Sequence, residues 1–154
     1  MRIIKAALST LGFLVVFDIA GAVASFVFEV LPLRGVSGPL FYVLWAVLGF
    51  WSGMLSADFN GKILCGPADE DWSNRPEGPR AAATNLVLSA VVVFALFLAL
   101  QRIVWTGTDE PSDFVPDSLP LTITYFAANI AAAGFAVWSK MNEARGRSTK
   151  AKKE

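Results

Sequence analysis

The chain is predicted to be an all-α membrane protein, with four transmembrane helices in an antiparallel bundle and both termini cytoplasmic. Three observations predict this. Of the 154 residues, 55% are hydrophobic and only 17% charged, and the mean hydropathy of +0.52 is too high for an ordinary soluble domain of this length. The charges lie almost wholly outside four apolar runs, residues 6–30, 36–57, 81–105 and 119–141, each reaching the roughly 20 residues that cross a bilayer. With the N-terminus inside, eleven Lys and Arg residues fall on the inner segments, and only Arg34 and Arg102 fall outside. That is the asymmetry expected of a multi-pass protein. Residues 1–141 then form a single domain, and residues 142–154 a basic, polar cytoplasmic tail suited to anionic headgroups.

The first run carries "LVVFDIAGAVAS", with one acid, Asp18, near its centre, and it ends before Pro32 and Arg34. Helical spacing places Leu11, Leu14, Asp18, Ala22, Ser25 and Glu29 on one stripe. "MRIIK", an apolar stretch and "AVAS" also fit a cleavable signal cut before Ser25. The apolar run continues through "FVFEVL", however, and an acid interrupts it, so a retained span is expected and cleavage of residues 1–24 is the alternative.

The second run aligns Tyr42, Ala46, Gly49, Gly53 and Ser56 on one face, and Gly49 and Gly53 form a GxxxG pattern. Small residues let backbones approach where lipid offers no hydrophobic drive for association, so this face is assigned to helix packing. Asp58 and the turn pair Asn60-Gly61 close the run. The loop that follows, "DFNGKILCGPADEDWSNRPEGPR", is rich in Gly, Pro and polar residues and is expected to be largely irregular. Trp72 is expected at the membrane interface. Asp69 and Asp71 match the first and third positions of a calcium loop, but its Gly and closing Glu are missing, so a solvated acidic turn is expected and no metal site.

Arg80 precedes the third run, whose only polar pair is Asn85 and Ser89. The fourth follows the acidic stretch "TGTDEPSDFVPDS" and aligns Thr122, Tyr125, Asn129, Ala133, Ala136 and Lys140. Its segment "FAANIAAAGFA" makes Ala132 and Ala136 further packing residues.

Asp18 and Asn129 lie near the centres of their spans, so they share a depth, and Tyr125 is one turn from Asn129 on the same face. An acid at that depth costs about 2.5–3.5 kcal/mol on insertion scales and has a reason to be there. Asp18, Asn129 and Tyr125 are therefore the candidate proton- or ion-binding residues. The acid can be a protonated structural group, a coupling site for a transported ion, or a docking point for another subunit.

Several classes of chemistry are disfavoured by what is missing. There is no histidine, and Cys65 is the single cysteine, so the chain lacks the commonest general base, any internal disulfide and any CxxC motif. No phosphate-binding loop or nucleophile–base constellation is present. No enzymatic activity, cofactor or nucleic-acid partner is expected. The expected partners are the lipid bilayer and other membrane subunits or a second copy, in the inner (plasma) membrane. The expected role is that of a non-catalytic accessory or assembly subunit or small homo-oligomer, with a small proton- or cation-coupled transporter or channel using Asp18 as the alternative.

Overall fold

The structure, a computed structural model, describes the backbone of residues 1–30, 37–66, 71–106 and 118–151, with side chains for residues 1–27, 39–66, 71–99 and 120–149. The described residues form four long helices, α1 (Arg2–Val30), α2 (Ser37–Cys65), α3 (Gly78–Thr106) and α4 (Ser118–Ala151), with one 3-10 turn at Trp72–Asn74 and no strand. Each helix contains a segment long and apolar enough to cross a membrane, the one open-chain form that satisfies its own backbone in lipid. Pro32, Arg34, Asp69, Pro116, Asp117 and most of the acidic stretch before the fourth helix lie outside the described residues.

Local chemistry accounts for the ends. Pro39, Pro79 and Pro120 stand in the first turns of α2, α3 and α4, where a missing N–H leaves no hydrogen bond unmade and the fixed φ favours entry into the helix. At the end of α2, Gly66 adopts φ +90°, and its N–H donates to the Lys62 carbonyl at 2.9 Å. Glycine takes this left-handed cap without a Cβ clash. Two arginines from elsewhere cover the remaining carbonyls. Arg75 Nη1 donates to the oxygens of Cys65 (2.8 Å) and Gly66 (3.0 Å), and Arg2 Nη1 donates to Leu64 at 3.3 Å, placing positive charge at the negative helix end.

All four helices extend beyond the expected spans, α2 and α4 the furthest. α2 continues past residue 57 to Cys65, because Asn60 and Gly61 are held by tertiary contacts and make no turn. α4 runs on through the basic tail as far as Ala151.

The most extensive interface joins α2 to α4, while α1 packs on α2 and α3. Gly49 and Gly53 explain the first of these. A Cβ at Gly49 would collide with the Tyr125 carbonyl oxygen, and one at Gly53 with that of Asn129. Ala132 and Ala136 are buried in the same face of α4, and Ala46 is half-buried. Lipid-side residues such as Val16, Ile19, Val87, Phe94 and Trp138 remain exposed.

Of the acidic turn expected before α3, Asp69 and Glu70 lie outside the described residues and Asp71 is half-buried. Trp72 is only 2% exposed, and its indole lies directly against Gly61, where any Cβ would overlap it. It joins Ala57, Ala81 and Ala133 in one apolar cluster. The ring is enclosed by the protein, because Gly61 leaves a ring-sized recess in α2.

Candidate functional site

Serines and asparagines four residues apart on one helix form a continuous stripe. On α2, Ser52, Ser56 and Asn60 continue the face that Gly49 and Gly53 begin, and all three are fully buried. Asn85 and Ser89 on α3, Thr10 on α1, and Asn129 and Tyr125 on α4 are each no more than 2% exposed. Together they make a polar seam through an otherwise apolar core.

Asn60 is the junction of the seam. Its Nδ2 donates to Thr10 Oγ1 at 2.7 Å and to Asn85 Oδ1 at 3.2 Å, and Asn85 Nδ2 donates to the Ala57 carbonyl at 2.8 Å. One residue thus ties α1, α2 and α3. The hydroxyls of Thr10 and Ser56 donate back to their own helices, to Ala6 at 3.1 Å and Gly53 at 3.1 Å, the usual way a hydroxyl is satisfied in an apolar helix. Further along, Asn129 Nδ2 donates to Ser52 Oγ at 3.0 Å. The Tyr125 hydroxyl donates to the Leu14 carbonyl at 2.8 Å. Asn60 Oδ1, Asn129 Oδ1 and Ser89 Oγ are buried without a protein partner.

Asp18 stands beside this seam, not in it. The carboxyl is half-buried, and among the described residues no side chain donates to it. Tyr125 reaches α1 one turn before Asp18, through its hydrogen bond to the Leu14 carbonyl. Asp18 and Asn129 are not brought together. α1 and α4 have no close backbone approach among the described residues, and the Asn129 amide donates to Ser52. Trp45 bridges α1 and α4, its ring lying against Gly21 of α1 and edge-on to Tyr125, with centroids 5.6 Å apart. Ser25 on the Asp18 stripe is half-buried, Ala22 is exposed, and the Glu29 side chain is outside the described set.

A second polar group closes the end of the helices marked by Trp72. Lys140 Nζ on α4 lies 3.0 Å from Asp58 Oδ1 on α2 and 3.0 Å from Asp71 Oδ1 beside the 3-10 turn. Lys62 adds a 2.7 Å contact to Asp58 from one turn away on α2. Cys65 is buried, with Sγ 3.7 Å from the Trp72 carbonyl. Among the described residues no three carboxylates or thiols converge as metal ligands.

Sequence reasoning picked out Asp18, Tyr125 and Asn129 but missed Ser52 and Asn60 as members of the site. The signal was present, since Ser52, Ser56 and Asn60 continue the GxxxG face at spacing four. Reading Asn60-Gly61 as a turn cut that face short. No known protein family matches the sequence, and neither a characterised protein nor a solved structure is similar to the chain.

Proposed function

We propose that the protein is a non-catalytic multi-pass membrane component that works through helix contacts, as an accessory or assembly subunit or as a small homo-oligomer of the inner (plasma) membrane. One observation carries this reading. Asp18 sits near the middle of α1, the helix whose span is least covered by the rest of the chain, and neither Tyr125 nor Asn129 donates to it, the hydroxyl going to Leu14 and the amide to Ser52. A carboxyl at that depth needs a donor, and a polar group on a neighbouring membrane helix supplies one. The α2–α4 small-residue face is already used inside the chain, so α1 presents the surface for assembly.

In this reading the four helices form an antiparallel bundle with both termini cytoplasmic. Supporting it, Arg2, Arg75 and Lys140 all contact groups near the C-terminal end of α2, and eleven of the thirteen Lys and Arg residues belong to that side.

The test is native mass spectrometry of the full chain extracted in mild detergent. A dimer or larger complex that weakens on Asp18→Asn, with insertion unchanged, is expected. A monodisperse lone monomer counts against the proposal.

A second reading is favoured by a different observation. The seam from Asn60 through Ser52 to Tyr125 reaches α1 at Leu14, one turn before Asp18, an arrangement suited to a proton- or cation-coupled transporter. There, Asp18→Asn abolishes coupled flux in proteoliposomes while leaving oligomeric state alone.

A further inference from the structure

We propose that the groove where α1, α2 and α3 meet at their charged rim binds the headgroup of an aminophospholipid, with the phosphate on Arg2 and Arg80 and the ammonium on Glu77. The groove is a cavity of about 290 Å³ lined by the polar Arg2, Glu77, Arg80 and Thr84 and by the apolar Ile3, Leu64 and Ala81. That volume, at the lower end of small-molecule pockets, suits a headgroup and not a whole lipid. This inference stands independently of the assembly reading above.

Depth, charge and exposure each support the assignment. Arg2 opens the first candidate span, Leu64 is next to the last residue of the second, and Arg80 is in the first turn of the third, so the groove lies at the level of the headgroups. Arg2 is oriented by its hydrogen bond to the Leu64 carbonyl, and its guanidinium also lies against Gly66. Among the described residues, neither Arg2 nor Arg80 is ion-paired with Glu77. Two cations and one anion therefore border a shared space without neutralising one another.

Guanidinium groups suit phosphate oxygens because their forked N–H donors match that geometry. A phosphodiester meets the two arginines, and a primary ammonium can donate to the Glu77 carboxylate. A choline headgroup has no N–H to donate. A glycerol headgroup leaves the carboxylate facing a net anion. The acyl chains leave over the lipid-side surface, where Ile3, Ile4 and Val87 are exposed. A lipid held there bridges α1 to α2 and α3, close to the Asn60 junction.

The experiment uses the full-length protein in mild detergent, with native mass spectrometry after equal additions of phosphatidylethanolamine, phosphatidylcholine or phosphatidylglycerol. Retention of one phosphatidylethanolamine, about tenfold over phosphatidylcholine, is expected, corresponding to one charge-assisted hydrogen bond. Arg80→Gln lowers that retention about tenfold on the same basis. Glu77→Gln keeps lipid binding but removes the preference for ethanolamine over choline. Both substituted side chains are exposed, and an unchanged thermal unfolding midpoint confirms that each variant is folded. Equal retention of the three lipids, stronger retention of phosphatidylglycerol, or an Arg80→Gln variant with undiminished binding overturns the proposal. So does displacement of the lipid by equimolar phosphoethanolamine, which assigns the site to a free phosphomonoester.

Discussion

Asn129 donates its side-chain amide to Ser52, at 3.0 Å across the α2–α4 interface, although Asp18 on α1 offers a stronger acceptor at a similar depth. The choice is steric. Glycines at 49 and 53 let α2 lie against the α4 backbone, so Ser52 arrives first and α1 is kept at a side chain's length.

The Asn129–Ser52 pair should couple energetically where Asn129 and Asp18 do not. A double-mutant cycle with Ser52→Ala and Asn129→Ala, read by unfolding in detergent, is expected to give about 0.6 kcal/mol and no more than about 1.7 kcal/mol, the range for interhelical hydrogen bonds in membranes. The matching cycle with Asp18→Asn should give none. Equal coupling in the two cycles would show that the pairing is wrong.

Gly53→Ala and Gly49→Ala each push a methyl group into a backbone carbonyl of α4. Backbone cannot rotate aside as a side chain can, so each change should destabilise by about 1–3 kcal/mol, as overpacking does. Gly12 and Gly134 have nothing within 4 Å of an added Cβ, so alanine there should leave the thermal midpoint unchanged or raise it, by helix propensity worth at most about 1 kcal/mol.

Trp72 is held by a recess that only glycine at 61 leaves open. Trp72→Ala is expected to cost about 3–5 kcal/mol, the range for large-to-small changes of a buried aromatic. Gly61→Ala should expel the indole and leave the 3-10 turn more readily cleaved by protease. If both variants unfold and resist protease as the parent does, the turn is not docked on α2.

Lys140 lies between Asp58 and Asp71, all three side chains roughly one-quarter to one-third exposed. Removing the cation leaves two carboxylates facing one another, so Lys140→Met should cost about 1–2 kcal/mol, above a surface pair but below a fully buried one. Asp71→Asn alone should cost less, and adding it to Lys140→Met should restore part of the loss. A Lys140→Met variant with an unchanged midpoint would mean the cation is not holding the turn to α4.

The four spans were legible because a bilayer admits few solutions. A run of twenty apolar residues without internal charge must satisfy its own backbone, and a helix does so within one segment. The packing role of Gly49, Gly53 and Ala132 was legible for the same reason, since small residues at spacing four mark a close approach. The ends were less so. Asn60-Gly61 has turn composition, yet the Asn60 amide N–H groups donate to Thr10 and Asn85 and Gly61 lies against the indole of Trp72, so the helix continues where local preference would stop it.

The sequence by itself determined that this chain is helical, which runs are apolar enough to cross a membrane, and where along each run its polar groups fall. Only the tertiary structure decided which donor meets which acceptor. Depth follows from counting residues along an axis, but pairing depends on how each helix is rotated about that axis and on which two backbones touch. Asn129 and Asp18 share a level, but the glycines brought α2, not α1, against α4.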